Sequence, residues 1–178
     1  AVGRALAQVH VPAPAEAWFN PEQSIDLADR ATNLEWALDL LGDAKGPSGE
    51  RLDIGGARLL WADAVAAPAP TERVWSHADP HGSNLLAEQG EFAGIIDWGK
   101  MAGCERAVDL SFLYTALPVE GVESAVAAYR EETGCEDPGL EARLRGIAVT
   151  KCASWAVLER PLNVAMAWRG FRELGLAA

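Results

Sequence analysis

Apolar residues fall into two rhythms along this chain, one helical and one alternating. In residues 1–10, Leu6 and Val9 lie on one face of a short helix, and Val11-Pro12-Ala13-Pro14 stops it. Between residues 21 and 42, Ile25, Leu27, Ala28, Ala31, Leu34, Ala37, Leu38 and Leu41 recur at helical spacing. This predicts one helix with Asn20 as cap, Pro21 at the first position and Gly42 as stop. Residues 55–66 predict a second helix burying Leu59, Leu60, Ala64 and Val65, closed by Pro68-Ala69-Pro70. The rhythm then shortens. Residues 73–75 read as a short strand, and 85–88 with 92–97 as a hairpin turning across Gln89-Gly90-Glu91. Helical spacing returns over 107–116, 122–133, 139–159 and 162–174, punctuated by Pro118, Gly134 and Pro161. With no internal repeat, these elements predict a single domain over residues 1–178, mainly α with a small β-hairpin region.

Composition narrows the partners. Hydrophobic residues make up 49% of 178, enough for a sizeable core. The formal net charge of −11 argues against a nucleic-acid backbone or an anionic membrane as partner. It would suit a cationic ligand, and a merely acidic, soluble protein explains it as well. Cys104, Cys135 and Cys152 show no CxxC spacing, so neither a disulfide framework nor a zinc site is expected, and a reducing cytoplasm is the default location. No long apolar run predicts a membrane helix. The first residues, Ala1-Val2-Gly3-Arg4-Ala5-Leu6, lack an initiator Met and a signal-peptide core and read like the middle of a helix, as in a fragment.

Two polar turns flank the predicted hairpin. Ser76-His77-Ala78-Asp79-Pro80-His81-Gly82-Ser83-Asn84 precedes it and Asp97-Trp98-Gly99 follows it. A hairpin returns the chain to its starting point, so Asp79, Asn84 and Asp97 are expected together. The oxygens of Asn84 and Asp97 suit a hard divalent cation, with Asp79 as an acid/base group beside it. Phosphoryl transfer needs this set, because its catalysis is mostly positioning and charge neutralisation. Each residue also has a duller use: an Asx turn at Asp79-Pro80, a turn at Asn84, a strand-end cap at Asp97, a helix cap at Asp109. Asp97 resists this most, since it ends the apolar run Ile95-Ile96 and is expected half-buried, where an unpaired carboxylate is costly. Lys100 is expected to be solvated. Two look-alikes fail. Gly94 to Met101 has the outline of a phosphate-binding loop, but Met101 cannot ligate magnesium as Ser or Thr would. His77 and His81 have zinc-protease spacing, but Pro80 breaks the helix they need.

The order His77-x-Asp79-x-x-x-x-Asn84, then an apolar strand ending Ile96-Asp97-x-Gly99, resembles the aminoglycoside and macrolide phosphotransferase family, whose fold is protein-kinase-like. The continuation through Glu105 to Asp109-Leu110 is similar too. Ala78 stands where the family usually has Gly, Glu105 where it has Asp, and Gly82-Ser83 replaces a common Pro-Gly. The resemblance implies Mg²⁺ and ATP or GTP as cofactors, Asp79 orienting an acceptor hydroxyl, and Asn84 and Asp97 holding the metal. It also implies that His77 packs under the metal-binding turn and that Asp109 braces the catalytic loop. Trp98, next to the metal-binding Asp, is a candidate wall for nucleotide or substrate; the other tryptophans are expected mostly in the core.

The resemblance covers only the C-terminal lobe of that fold. No Gly-rich strand-turn-strand precedes residue 50, so the N-terminal lobe with its phosphate-gripping Lys is expected to be absent from this chain. The implied function is transfer of the γ-phosphoryl group to a hydroxyl of a small molecule, an aminoglycoside or similar antibiotic, with little or no activity for this piece alone. Two alternatives stay open: a non-catalytic substrate-binding or assembly module, and a kinase for a metabolite such as choline, homoserine or a sugar. Glu120, Glu123, Glu131, Glu132, Glu136, Asp137 and Glu141 would either form a rim attracting a cationic acceptor or simply face solvent. Surface left bare by the missing lobe makes self-association an expectation.

Overall fold

The computed structural model describes residues 1–158 and 160–177. Its helices are α1 (Val2–Val9), α2 (Ala31–Leu41), α3 (Ile54–Ala66), α4 (Arg106–Ser111), α5 (Val119–Thr133), α6 (Leu140–Ala156) and α7 (Pro161–Glu173). Its strands are β1 (Val74–Ser76), β2 (Leu85–Glu88), β3 (Glu91–Ile95) and β4 (Ala102–Cys104). The architecture is mainly α with small antiparallel strand pairs.

The core is built around α6. Leu140, Leu144, Ile147, Ala148, Val149, Cys152 and Ala153 are all buried, the pattern of a helix enclosed by others. Helices α2, α3, α4 and α7 pack around it, and α1 lies on α5. Each enclosed Leu or Ile contributes roughly 1.5–3 kcal/mol relative to exposure. At Gly146, α3 comes so close that a methyl group would stand 2.3 Å from the Ala64 side chain.

Several expected elements shift. The helix expected over 21–42 starts only at Ala31, after a single 3₁₀ turn, Ala28–Arg30. The buried Arg30 guanidinium explains this, because it takes the carbonyls of Glu22, Gln23 and Ile25 at 3.1, 2.9 and 3.5 Å. Those carbonyls are turned toward the side chain instead of along a helix. Asn20 still caps, but only a turn, accepting the Glu22 N–H at 2.9 Å. In α3 the buried positions are Ala57 and Ala64, with Leu60 and Trp61 partly covered, while Leu59 and Val65 are exposed. Close approach to α6 selects the small residues of α3, not the large ones. The helix of 107–116 tightens into 3₁₀ at Phe112–Thr115. The last three helices appear as α5, α6 and α7; Glu159, the expected end of one, lies outside the described residues. Pro161 sits in the first turn of α7, where its missing N–H costs nothing. Among the tryptophans only Trp168 is buried, and Trp18, Trp36 and Trp98 are exposed.

The hairpin forms, turning on Gln89 and Gly90 at φ 53° and 86°, the left-handed pair that a two-residue turn requires. Its first rung is Leu85 opposite Ile95. The sequence did not foretell β4, which pairs with β1 in the register Val74–Cys104, Trp75–Gly103, Ser76–Ala102. This ladder brings the loop after Ser76 beside the turn before Ala102. The Ile96 N–H donates to the Asn84 carbonyl at 3.0 Å and joins the other ends of the same two segments.

Candidate active site

Loop 77–84 is held from below by one carboxylate. Asp109, in α4, is fully buried and accepts the backbone N–H of His77 at 2.7 Å and of Ala78 at 2.8 Å. His10, at the end of α1, reaches the same carboxylate through Nε2 at 3.0 Å. Behind it, His10 Nδ1 meets the Tyr129 hydroxyl at 2.9 Å, and Arg106 Nη1 donates to that hydroxyl at 2.7 Å. Arg106 can only donate, so the Tyr129 oxygen accepts from it; with one proton on the His10 ring, the Tyr129 hydroxyl donates to Nδ1 and Nε2–H donates to Asp109. Burial pushes the Tyr129 hydroxyl up to about 12, against the pull of Arg106, so it keeps that proton. The brace lets Ala78 sit at φ 66°, a left-handed conformation unfavourable for a residue with a side chain.

The upper side of the loop carries the candidate chemistry. Asp79 is largely covered, and its Oδ2 faces the Lys100 ammonium at 3.4 Å and His81 Nε2 at 3.8 Å. Lys100, expected to be solvated, bridges Asp79 and Glu22, the latter at 3.5 Å. Partial burial works against its charge, but the two carboxylates outweigh it and raise its pKa. Burial lowers the His81 pKa, with Asp79 opposing, so the ring is neutral at neutral pH. His81 Nδ1 accepts the Ser83 N–H at 3.2 Å. His77 ties the two segments together: the Asp79 N–H donates to its Nδ1 at 3.2 Å, and its Nε2–H donates to the Ile96 carbonyl at 2.9 Å. Asn84 is buried, with its amide nitrogen on the Asp79 carbonyl at 2.9 Å.

Asp97 corrects an expectation. It is exposed, not half-buried, because the turn after β3 projects away from the core. Its backbone is left-handed, φ 63° and ψ 65°. Among the described residues its carboxylate takes no hydrogen bond and forms no ion pair, and its charge is felt at His81. Trp98 fixes the turn through Nε1, which donates to the Ile95 carbonyl at 3.1 Å, and its ring meets that of His77 edge-on at 4.7 Å. Asn84 and Asp97 thus offer oxygens not committed elsewhere among the described residues. This fits an ion such as Mg²⁺, which takes one or two protein oxygens and completes its shell with water and phosphate. No group of three His, Cys, Asp or Glu side chains able to hold a metal stands among the described residues.

The model of the phosphotransferase enzyme family (APH) matches residues 1–147. The chain belongs to this family. Its fold is shared with a macrolide 2'-phosphotransferase type I (TM-score 0.57, 15% identity, 93% of this chain and 56% of that one). It is shared also with the macrolide 2'-phosphotransferase MphH from Brachybacterium faecium (TM-score 0.51, 21% identity, 94% of this chain and 57% of that one). The chain therefore spans a little over half the length of these phosphotransferases. No curated protein sequence matches it. Among the described residues no helix is long and apolar enough to cross a membrane.

Within this phosphotransferase-family chain, several site residues escaped the sequence reading. His10, Tyr129 and Arg106 lie far from the motif in sequence, and nothing local marks them. Glu105, at the position where the family usually has Asp, pairs with the buried Arg143 of α6 at 2.7 Å. Lys151 had a readable signal: it interrupts the apolar stretch of α6 between Val149 and Cys152. None of the seven acidic residues considered as a rim lines the cavity beside Asp79, whose walls include Glu22, Arg30, Lys151 and Trp155. Glu131 pairs instead with Arg4, Glu141 with Arg130, and Asp137 with Arg143.

Proposed function

We propose that this chain is the acceptor-binding and catalytic lobe of an O-phosphotransferase that moves the γ-phosphoryl group of ATP or GTP to a hydroxyl of a small molecule. The observation that carries this reading is the convergence of Asp79, Asn84 and Asp97 on two adjoining segments, braced from beneath by Asp109. In the proposed reaction the acceptor oxygen bonds to the γ-phosphorus as the bond to the bridging oxygen of the departing diphosphate breaks. The hydroxyl proton passes to Asp79 Oδ2, which Lys100 holds in place. Asn84 and Asp97 would bind Mg²⁺, which supplies charge neutralisation at the phosphates. His77 keeps the two segments at fixed separation by bonding both backbones. Family membership supports the reaction class and leaves the acceptor open between an antibiotic and a metabolite. Because the strand-turn-strand that grips the phosphates is not among its motifs, the 178-residue chain by itself is expected to show little or no turnover.

Calorimetric titration of Mg²⁺·ADP into the chain tests this. Weak binding, with a dissociation constant on the order of 1 mM, is expected in the presence of Mg²⁺. It should vanish in Asp97→Ala and persist in Asp79→Asn. Binding that ignores both the metal and the Asp97 substitution would sink the assignment.

A further inference from the structure

A cavity of about 440 Å³ opens between α2, the 21–30 segment and the C-terminal half of α6. It adjoins the site already described. Glu22 on its wall shares Lys100 with Asp79, and Trp155 on its wall meets the His81 ring edge-on at 5.4 Å. Its lining has an unusual charge. In a chain of net charge −11, this lining carries two cations, Arg30 and Lys151, and one carboxylate, Glu22. That carboxylate is already paired with Lys100.

Neither cation has a carboxylate partner among the described residues. Arg30 is nearly fully buried, spends its terminal nitrogens on three backbone carbonyls, and leaves Nε without an acceptor. Lys151 makes no hydrogen bond or ion pair among the described residues, and its Nζ stands 5.5 Å from the centre of the Phe112 ring. That ring can attract the ammonium but cannot accept its N–H bonds as oxygen would. A partly desolvated ammonium without acceptors is costly unless something else brings negative charge. The cost is visible in the acid strength of Lys151: burial, aided by the Arg30 charge, pushes it down to about 7.

We infer that the acceptor of this phosphotransferase carries an acidic group, a carboxylate or phosphate, which docks on Lys151 while its hydroxyl faces Asp79. This rests on the phosphotransferase reading and deepens it. It sets the chain apart from a site for polycationic aminoglycosides: the acceptor's negative charge answers Lys151 and Arg30, and Trp36 and Trp155 hold its carbon skeleton. A polycation would meet the Arg30 charge and would push Lys151 further toward its neutral form, and it would find the carboxylates of Glu22 and Asp79 already engaged by Lys100. The acidic surface elsewhere would slow an anion's approach, so this selectivity belongs to the pocket and not to the long-range field.

The test uses two probes alike in size and differing in charge, 4-hydroxyphenylacetate and tyramine, with kanamycin as a polycation, titrated calorimetrically into the chain and into Lys151→Met. Methionine keeps the bulk of the stem over Phe112 and removes the charge. The anion is expected to bind at least about tenfold more tightly than tyramine, and Lys151→Met to erase most of that preference. Three outcomes would overturn the inference: preference for tyramine or kanamycin, a preference that survives Lys151→Met, or no detectable binding of the anion. Mg²⁺·ADP titrated into the same samples separates the two readings. Nucleotide binding with the wrong charge preference removes the acidic acceptor and keeps the phosphotransferase. The right preference without metal-dependent nucleotide binding keeps an acidic ligand at Lys151, removes Asn84 and Asp97 as the metal site, and takes away the ground for calling that ligand a phosphoryl acceptor.

Discussion

Asp97, on the turn after β3, and Asp109, in α4, are candidate site residues twelve positions apart, and they live in opposite surroundings. Asp109 is buried and accepts three donors, two from the loop backbone and one from His10. Asp97 is exposed, left-handed and without a hydrogen-bond partner among the described residues. A buried carboxylate held by three donors is structural: its energy is spent on shape. A carboxylate held in a costly backbone conformation, with no partner among the described residues, is available to a ligand. The same amino acid serves as anchor in one place and, in the function proposed above, as ligand in the other, and the difference lies in the neighbours.

That contrast can be broken most forcefully at the anchor. Asp109→Ala strands the N–H groups of His77 and Ala78 and the His10 ring, and a loss of about 3–5 kcal/mol is expected in urea unfolding. A loss under about 1 kcal/mol would mean that the loop holds its shape without the brace. Next in size is Tyr129→Phe, which deprives Arg106 of an acceptor and His10 Nδ1 of a donor. Its expected cost is about 1–3 kcal/mol by the same measurement, with Asp97 undisturbed. At Asp97 the sign turns. Asp97→Gly relieves the left-handed backbone and so should leave stability unchanged or raised by about 0.5 kcal/mol, while metal-dependent nucleotide binding disappears. Destabilisation there by more than about 1 kcal/mol would make Asp97 a second anchor. The smallest effect is expected at Ala78→Gly, where backbone relief and the lost buried methyl nearly cancel, leaving thermal unfolding within about 0.5 kcal/mol of the parent.

The sequence was informative where chemistry is written locally. The motif spacing brought Asp79, Asn84 and Asp97 to adjoining segments because a tight hairpin must return the chain to where it left. The late helices were legible because Gly134 and Pro161 punctuate them. Illegible were the features decided by distant partners. The start of α2 moved because one side chain, Arg30, captured three carbonyls upstream. The buried face of α3 rotated because Gly146 on another helix invites small neighbours. β4 was hidden because Ala102-Gly103-Cys104 has almost no alternating pattern, and only Val74 to Ser76 make it a strand. The exposure of Asp97 was misjudged because the apolar residues before it suggested a covered end, whereas Ile96 itself is 43% exposed.

Val74 opposite Cys104 makes everything between them a drawstring bag of chain, cinched at the neck by β1 and β4. The mouth of the bag fixes Asp79 and Asp97 relative to each other, and the bottom, at Gln89 and Gly90, hangs in solvent. Loop closure costs grow only slowly with length. Residues can therefore be added or removed at the bottom while the two aspartates stay in place, and the tip of β2 and β3 is where this lobe can absorb a tag, a label or an evolutionary insertion without disturbing its chemistry.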